Sequence, residues 1–301
     1  MISVLRTLGI ALLLALCFGA GDLRAQASTP DALRARFAAI RANNAASLIE
    51  RSVYLLSTEV SGRMSGDVYA LVDHPYADVR SALADANHWC GILILHLNVK
   101  YCRAVTTGSR QQVVTGVGRK FDQPLSDVYW AKFEFAMPSA GDGYLSIGLQ
   151  APAGPLNTKD YRFVVEAVPF AERQSLLHMT YAYSYGLAAD WAMHAYLATI
   201  GHDKLGFSVV GRRADGRPIL VGGVRGVLER NALRYYLAIE AYVRAHALPA
   251  SAQLSRSLDD WFAATERFAL QLHEIDRDTY VEMKLREVRR QQTTDPPPII
   301  Y

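Results

Sequence analysis

Between residues 110 and 185 the chain contains five consecutive segments in which apolar and polar side chains alternate. Alternation with a period of two is typical of β-strands that bury one face. Two connections between these segments are short and rich in turn-forming residues, at 139–143 (SAGDG) and 151–155 (APAGP). Because such short connections join antiparallel neighbours, the pattern predicts an antiparallel sheet. The predicted strands are 112–118, 128–137, 144–150, 160–168 and 174–185.

The alternation also predicts which face of this sheet is buried. One face carries the large apolar side chains, namely Tyr129, Phe133, Phe135, Met137, Leu145, Ile147, Leu149, Tyr161, Phe163, Val165, Leu177, Met179, Tyr181, Tyr183 and Tyr185. The opposite face carries Lys132, Glu134, Ser146, Arg162, Glu166, His178 and Ser184. The sequence therefore predicts a sheet with one apolar face and one solvated face.

An apolar sheet face must be covered, and a long helix at 223–247 is the predicted cover. Its apolar residues recur at helical spacing: Val224, Val227, Leu228, Tyr235, Ile239 and Tyr242. The other predicted elements are a helix from Pro30 to about Asn43, strands at 53–60 and 66–73, helices at 76–86 and 188–199, and a hairpin at 207–220.

Two further helices are predicted after Pro249. The first, at 254–272, has an apolar stripe that we expect to be docked against the rest of the protein, formed by Leu254, Leu258, Trp261, Phe262, Phe268 and Leu272. The second, at 276–292, is rich in charged residues and is predicted to be solvated. The prolines that follow exclude a helix, and the tail is predicted to be disordered.

The chain begins with the three parts of a cleavable secretory signal peptide. Arg6 provides a positive charge, and the apolar run at 8–18 is shorter than the roughly 20 residues that a bilayer core requires. The tripeptide 25–27 (AQA) has the small residues of a cleavage site, so the mature chain should begin at Ser28. The alternatives are a retained anchor and a lipoprotein modified at Cys17. We therefore expect a periplasmic protein without a transmembrane segment.

Cys90 and Cys102 are the only cysteines after the predicted cleavage site. A pair of cysteines in an exported protein most often forms a disulfide, which is the prediction here. The alternatives are free buried thiols and a metal site, because His88 and His96 lie in the same stretch. The spacing matches no established zinc pattern, so no metal site is predicted.

Composition and motifs exclude several functions. Half of the residues are apolar and 20% are charged, which is typical of a globular protein. The net charge of the chain is +3, of which residues 1–27 contribute +1, and the remaining +2 is too weak to indicate a nucleic-acid partner. There is no Gly-x-Ser-x-Gly elbow, P-loop or dinucleotide fingerprint. We predict no cofactor and assign no catalytic residue.

The order of the predicted elements resembles the helix-grip architecture of the START-like (StAR-related lipid transfer, SRPBCC) superfamily. The resemblance is carried by 66–73 followed by 76–89, by the strands up to Tyr185 and by the helix at 224–243. It covers about residues 53–247. It implies an α+β fold in which a curved antiparallel sheet grips a long C-terminal helix and leaves a cavity for an apolar ligand. The N-terminal helix and the C-terminal helices are additions to this pattern.

The aromatic faces and the resemblance together predict a ligand cavity between the sheet and the long helix. Tyrosine rings can form an apolar wall while their hydroxyls contact a polar group of the ligand. A cavity of roughly a few hundred Å³ would suit a lipid chain. The alternative is that the same side chains form a filled core. The predicted ligand-binding residues are Tyr129, Phe133, Phe163, Tyr181, Tyr183, Tyr235 and Ile239.

Three functions from different classes remain open at this point. The first is an exported binding protein for a lipid or another apolar small molecule. The second is a START-like enzyme, of the cyclase or hydrolase type, in which a histidine acts within the cavity; the histidines considered are His74, His178, His194 and His202. The third is a scaffold that binds a protein partner through the helices of 250–292. A cavity lined only by apolar and tyrosine groups would favour the first.

The predicted domain organisation follows from these assignments. It comprises a signal peptide (1–27), an N-terminal helical segment (28–50), a helix-grip domain (51–248), a C-terminal helical extension (249–292) and a disordered tail (293–301).

Overall fold

The computed structural model describes residues 29–43, 47–50, 52–186 and 205–297. The predicted signal peptide, the predicted helix at 188–199 with His194, and His202 lie outside these residues. Among the residues that are described, no helix combines the length and the apolar character needed to cross a membrane.

The described residues form an α+β fold, as predicted. The helices are α1 (Pro30–Asn43), α2 (Tyr76–Leu83), α3 (Ala86–Leu93), α4 (Gly223–His246), α5 (Ala250–Glu266), α6 (Ala269–Leu272) and α7 (Arg277–Thr293). The strands are β1 (Ser47–Glu50), β2 (Val53–Val60), β3 (Arg63–Val72), β4 (Val99–Thr107), β5 (Arg110–Val117), β6 (Tyr129–Ala140), β7 (Leu145–Ala153), β8 (Thr158–Ala171), β9 (Gln174–Tyr185), β10 (Val209–Arg212) and β11 (Pro218–Leu220).

Nine of the strands form one antiparallel sheet in the order β1-β2-β3-β9-β8-β7-β6-β5-β4. The five alternating segments correspond to β5 to β9, in the predicted order. The predicted bounds of β2 and β9 match those of the structure. The sequence prediction did not identify β1 and β4, which are the two edges of the sheet. The predicted hairpin is present as β10 and β11.

Several helices begin where the sequence provides a capping group. The Oγ1 atom of Thr29 accepts a hydrogen bond from the backbone N–H of Ala32 at 3.2 Å, and Pro30 occupies the first turn of α1. The carboxylate of Asp276 accepts from the backbone N–H of Thr279 at 2.9 Å at the start of α7. These side chains satisfy N–H groups that have no partner within the helix.

The long helix α4 covers part of the inner face of the sheet. It packs against β2, β3 and β9 and against α2, α3 and α5. The helix comes closest to the sheet at Gly66 of β3, where a Cβ atom would lie only 3.2 Å from Cβ of Ala232. Most of the inner face belongs to one core that includes Val68, Met179 and Leu233.

The inner face of β6 ends earlier than predicted. Phe135 is buried, but Met137 is 41% exposed. The pairing of β6 with β7 changes register between Ala136 and Ser139. Because such an irregularity reverses the side-chain alternation, the predicted inward position of Met137 is wrong.

The prediction of a solvated outer face is also wrong for much of the sheet. Glu166, Ser146 and Ser184 are buried, with 6%, 7% and 9% of their surface exposed. Near Tyr69 and Val168 the reason is that α1 packs on the outer face and forms a second core there. Its members are Leu33, Phe37, Ile40, Tyr69, Val168 and Leu176.

A polar cluster centred on His178 lies beside this second core. The Nδ1 atom of His178 lies 2.8 Å from Glu166 Oε2, and Nε2 lies 3.0 Å from Asp67 Oδ1. The imidazole ring stacks on Tyr69 with centroids 4.1 Å apart, and Thr180 donates a hydrogen bond to Asp67 at 2.6 Å. Tyr144 donates a hydrogen bond to Glu166. The imidazole is therefore held between two carboxylates.

Stability should depend on pH through this cluster. Burial disfavours the charged form of both groups, but their mutual hydrogen bond and other polar contacts outweigh burial, so the pKa of His178 is raised and that of Asp67 is lowered. The stabilisation from His178 is complete below its unfolded pKa of about 6.5 and is lost as the pH rises through its raised folded pKa. The stabilisation from Asp67 is lost as the pH falls through its lowered folded pKa.

We therefore expect His178→Gln to reduce the unfolding free energy most between about pH 4 and 6.5, by about 1.5–3 kcal/mol. The difference from wild type should shrink above neutral pH, and denaturant unfolding across the pH range measures it. His273→Gln is the control, because His273 is half exposed and lies outside this cluster. A difference that is the same at every pH would contradict a charged imidazole.

The predicted disulfide is confirmed. Cys90 in α3 and Cys102 in β4 are bonded, with Cα atoms 5.1 Å apart. Neither sulfur is then available as a thiolate ligand for a metal. The bridge fixes the segment that leads from α3 into the edge of the sheet.

Replacing both cysteines by alanine should lower the unfolding free energy by about 3 kcal/mol, because the unfolded chain is no longer constrained. Equilibrium unfolding in denaturant measures this change. Wild type treated with a reductant should lose a similar amount, whereas the double variant should not respond to the reductant. A reductant effect that persists in the double variant would show that the loss has another origin.

The helix α5 is docked, as predicted for the apolar stripe. Trp261 and Leu258 are each 1% exposed, and Phe262 and Phe268 are partly buried. The stripe does not belong to one continuous helix, however. The backbone is not helical at Phe268 (φ −119°, ψ 42°), and the Phe268 ring contacts Phe207 with centroids 5.7 Å apart. The predicted single helix is therefore two helices, α5 and α6.

The prediction that the last helix is solvated is wrong. Tyr280, Met283, Lys284 and Glu287 of α7 are buried. The carboxylate of Glu287 lies 3.0 Å from Lys100 Nζ of β4 and 2.8 Å from Lys284 Nζ. All three side chains are fully buried, so charges that usually face water are here paired inside the protein.

The helix α7 also lies along the edge strand β4. Gln291 Oε1 accepts a hydrogen bond from the backbone N–H of Cys102 at 3.2 Å. The Tyr101 hydroxyl donates to the backbone oxygen of Thr294 at 2.8 Å, and Arg103 pairs with Asp295. The chain directly after α7 thus contacts β4. The domain boundaries given in the sequence analysis stay predictions.

Candidate functional site

A small cavity of about 70 Å³ lies between the sheet and the helices. The helix α4 rests on β2, β3 and β9, and the cavity remains where the sheet continues past the helix. Its wall comes from β5 to β9, the turn after β7, and single residues of α3, β4 and α4. The lining residues are Leu93, Val99, Thr115, Val117, Ala131, Phe133, Leu149, Gly154, Pro155, Tyr161, Arg162, Phe163, Tyr181 and Tyr235.

Aromatic rings form much of this wall. Phe163 of β8 meets Tyr235 of α4 edge to face, with centroids 5.4 Å apart, and Tyr181 lies 5.2 Å from Tyr235. Tyr161 meets Phe133 edge to face at 6.4 Å. Alternation along β8 places Tyr161 and Phe163 on the same face, and pairing with β9 places Tyr181 opposite Phe163. The rings therefore form a continuous apolar surface.

The polar atoms of the wall are mainly tyrosine and threonine hydroxyls. The Oγ1 atom of Thr158 lies 2.8 Å from the hydroxyl of Tyr161, and Thr115 donates to the backbone oxygen of Ala131 at 3.4 Å. Burial raises the pKa values of Tyr161, Tyr181 and Tyr235, so these hydroxyls stay protonated at neutral pH. Arg162 borders the cavity, but its side chain is exposed on a strand position that faces away from Phe163.

His96 lies directly behind this wall. Its ring stacks on Tyr235 with centroids 4.4 Å apart, and only 2% of its surface is exposed. Nδ1 accepts a hydrogen bond from the backbone N–H of Asn98 at 3.1 Å. Burial, and then the nearby charge of Arg234, holds the pKa of His96 well below its usual value. The ring is therefore neutral, its proton is on Nε2, and its one lone pair is already used.

The structure brings four of the seven predicted ligand-binding residues together at the cavity: Phe133, Phe163, Tyr181 and Tyr235. Tyr183 packs in a separate cluster with Met64, Val224 and Leu228. Ile239 is fully buried in the core, and Tyr129 pairs with Val117 at the beginning of β6. The inner face is longer than the cavity, so an inward position alone does not place a residue on the cavity wall.

The cavity is also much smaller than predicted. About 70 Å³ is far below the roughly 300–1,000 Å³ of typical ligand sites. It corresponds to about two water molecules at roughly 30 Å³ each. The reason is that the aromatic rings contact each other on the inner side of the sheet and occupy most of the space there.

The predicted ligand-binding set left out most of the lining residues, among them Tyr161 and the turn residues Gly154 and Pro155. Tyr161 was assigned to the apolar face but not to the ligand-binding set, although it precedes Phe163 by two positions on the same face. Gly154 and Pro155 had been considered only as turn residues. A Cβ atom on Gly154 would lie 2.1 Å from Cε2 of Tyr161, so the ring of Tyr161 rests on the turn itself. The sequence signal that could have identified these residues was a turn placed shortly before an aromatic residue that faces inward.

Comparisons with solved structures give weak similarities. A protein from Thermus thermophilus is 12% identical with a TM-score of 0.40, and the match covers 61% of this chain and 99% of that one. A STAR-related lipid transfer protein from Xanthomonas axonopodis is 15% identical with a TM-score of 0.34, covering 49% and 86%. Norcoclaurine synthase from Thalictrum flavum is 10% identical with a TM-score of 0.33, covering 47% and 77%.

Comparisons of sequence add no family assignment. No protein-family model matches the chain. No curated protein matches it either. What the site can do therefore follows from its own side chains.

Proposed function

We propose that this protein binds a lipid or another apolar small molecule in the cavity between β5–β9 and α4, as in the START-like architecture that the element order resembles. The observation that supports this most directly is the composition of the wall. Among the described residues, the wall contains aliphatic and aromatic groups and hydroxyls, with the exposed Arg162 at its border, but neither a carboxylate nor an imidazole. Such a surface favours an apolar ligand, and its hydroxyls can orient one polar atom.

An enzyme of the same architecture is less well supported. General acid–base catalysis requires a group that can exchange a proton within reach of the substrate. His178, which has two carboxylate partners, lies on the outer face of the sheet, away from the cavity. His96 is close to the cavity, but its lone pair accepts the N–H of Asn98. Neither histidine is in position to act on a molecule held at Tyr235.

A scaffold that uses the C-terminal helices loses the observation that motivated it. That proposal required an exposed apolar stripe on α5, whereas Trp261 and Leu258 are buried against the rest of the protein. The ring of Trp261 stacks on Tyr280 of α7 with centroids 4.9 Å apart. The stripe is therefore used within the chain.

The proposed site of action is the periplasm, after cleavage of residues 1–27. The disulfide between Cys90 and Cys102 is consistent with an oxidising compartment. Amino-terminal sequencing of the protein isolated from the cell envelope should begin at Ser28. A chain that retains Met1 would contradict cleavage, and a lipid on Cys17 would indicate a lipoprotein.

Ligand binding is tested by filling the cavity. Ala131 is 2% exposed and lines the cavity, so Ala131→Leu should occupy much of the free space. We expect the affinity for the apolar fluorophore N-phenyl-1-naphthylamine to fall about tenfold or more with little loss of stability. Fluorescence titration and thermal melting measure the two effects.

Ala136→Leu is the matched control, because Ala136 lies on the same strand and is exposed to solvent. Its affinity for the fluorophore should equal that of wild type. If wild type does not bind the fluorophore and Ala131→Leu is destabilised by about 1–3 kcal/mol, the space is packed core and the proposed function fails.

A further inference from the structure

The small volume of the cavity limits how any ligand can be accommodated. The free space of about 70 Å³ is less than half of the roughly 150 Å³ in which an engineered cavity holds benzene. A ligand of the proposed kind must therefore displace part of the wall as it enters. The following inference rests on the proposed function and concerns which part of the wall moves.

The turn between β7 and β8 is the part of the wall least restrained by strand pairing. It contributes Gly154 and Pro155 to the cavity, whereas most of the remaining wall is held in the sheet ladder or in helices. Leu156 and Asn157 both have φ of +58°, in the left-handed region that asparagine tolerates but leucine rarely adopts. Leu156 is also 59% exposed, beside an apolar cavity. The turn therefore combines unfavourable backbone angles with an apolar side chain in solvent.

Backbone hydrogen bonds close this turn, from Gly154 N–H to Thr158 O at 2.8 Å and from Thr158 N–H to Pro155 O, and one chain of side-chain hydrogen bonds links it to the cavity wall. Thr158 donates its single hydroxyl proton to the backbone oxygen of Pro155. The 2.8 Å contact between Thr158 Oγ1 and the Tyr161 hydroxyl must then be donated by Tyr161. Tyr161 thus uses its proton to hold the turn through Thr158, while its ring rests on Gly154.

Tyr161 is also part of the ligand wall. Its ring lies 6.3 Å from that of Tyr181 and 6.4 Å from that of Phe133, and all three line the cavity. A ligand oxygen that accepted the Tyr161 proton would replace Thr158 as its partner. The side-chain bond that links the turn to the wall would then be lost at the moment when the cavity has to enlarge, while the backbone bonds within the turn remain.

We propose that the β7–β8 turn (Gly154–Thr158) is the entrance of the cavity. In this proposal Tyr161 recognises an uncharged hydrogen-bond acceptor of the ligand, such as a ketone or ester oxygen. It does so by exchanging its bond to Thr158 for one to the ligand. The donors on the wall are neutral hydroxyls, and the Arg162 side chain points away from the wall. A carboxylate or phosphate would be buried there without a cation, which is unfavourable. The ligand class is an apolar molecule with one carbonyl-type oxygen.

Two uncharged fluorophores test the proposal: prodan, which has a ketone, and N-phenyl-1-naphthylamine, which has no carbonyl. Tyr161→Phe keeps the ring and removes the donor. Because wild type gives up the bond to Thr158 when it bonds the ketone, the comparison is made in the Thr158→Val background. There we expect Tyr161→Phe to weaken prodan binding by about three- to tenfold, the worth of one hydrogen bond, and to leave the affinity for N-phenyl-1-naphthylamine unchanged. The emission of bound prodan should shift to the blue, because its ketone loses a hydrogen bond.

Thr158→Val is the second variant, because it releases the turn but keeps the Tyr161 hydroxyl. We expect stopped-flow association of both fluorophores to become several-fold faster, with prodan affinity equal to or higher than that of wild type. Ala136→Leu, on the exposed face of β6, should change neither the rates nor the affinities. Thermal melting confirms that each variant is folded, and Thr158→Val stands as a test even if Tyr161→Phe does not fold.

The outcomes separate this inference from the proposed function. If wild type binds neither fluorophore, the proposed function fails and the inference falls with it. If wild type binds both, but Thr158→Val leaves the association rates unchanged, the entrance lies elsewhere. If Tyr161→Phe weakens both fluorophores equally or neither of them, Tyr161 does not recognise the carbonyl, and binding itself stands.

Discussion

Replacing Glu287 by glutamine is expected to destabilise the folded protein by about 3–5 kcal/mol, because it leaves two lysines buried without a counter-charge. Glu287 pairs with Lys100 at 3.0 Å and with Lys284 at 2.8 Å, and all three side chains are fully buried. The amide of glutamine can accept a hydrogen bond but cannot neutralise a cation. Denaturant unfolding at neutral pH measures the loss.

Lys100→Met is the matched control for this cluster. It removes one cation and leaves Lys284 paired with Glu287, so no buried charge is left alone. We expect a loss of about 0–1 kcal/mol. If Lys100→Met and Glu287→Gln were equally destabilising, the cost would come from packing and not from charge.

The pH dependence of the Glu287 variant provides a second measurement. Burial lowers the pKa of Lys284 to about 8. Glu287 raises this pKa, so in Glu287→Gln the pKa of Lys284 should be lower still; as the pH rises through it, the lysine loses its proton and the charge penalty disappears. The difference between wild type and Glu287→Gln should therefore shrink as the pH is raised.

Truncating Trp261 to alanine should have an effect of similar size, about 3–5 kcal/mol, because it removes a large buried ring and leaves a cavity. Trp261 is 1% exposed, stacks on Tyr280 at 4.9 Å and donates from Nε1 to the backbone oxygen of Arg234 at 3.1 Å. It thereby joins α5 to both α4 and α7. Thermal and denaturant unfolding both report the change.

Leu270→Ala provides the comparison, because Leu270 lies on the neighbouring helix α6 and is 78% exposed. Its removal should change the unfolding free energy by less than about 0.5 kcal/mol. If Trp261→Ala were no more destabilising than Leu270→Ala, the three helices would not share the core that the structure shows.

The alternation of apolar and polar residues was sufficient to predict the central strands of the sheet but not its two edges, β1 and β4. Side-chain alternation is a local property of a strand, so β5 to β9 and their antiparallel order could be read from the pattern and its turns. The apolar stripe of α4 is also a local pattern within one segment, so it could be predicted in the same way. Met137 shows the limit of this reasoning, because a shift in register at Ala136 reverses the alternation and depends on the partner strand.

Features that depend on distant residues could not be predicted. Lysine and glutamate in α7 suggested a solvated helix, because these residues are rarely buried. Glu287 is buried because Lys100, 187 positions earlier in the chain, reaches it from β4. The covering of the outer face by α1 has the same origin, since nothing near Val168 in sequence shows that Phe37 packs there.

The candidate site was predicted in part for the same reason. Alternation correctly placed Phe133, Phe163 and Tyr181 on the inner face, but the extent of the cavity depends on where α4 rests. Tyr183 lies next to α4 and is covered by Leu228 and Val224. The role of Gly154 depends on the ring of Tyr161, a contact that only the folded turn creates.

The contact between α7 and β4 has a consequence for the order in which the chain can fold. β4 is an edge strand, and unpaired backbone groups at an edge can recruit strands from other molecules and lead to aggregation. Gln291 blocks one of these groups, and Glu287 neutralises Lys100 below it. Glu287 follows Lys100 by 187 positions, and Gln291 follows Cys102 by 189. Until α7 has been synthesised, this edge stays open and Lys100 has no counter-ion, so chains truncated before α7 should be the ones that aggregate.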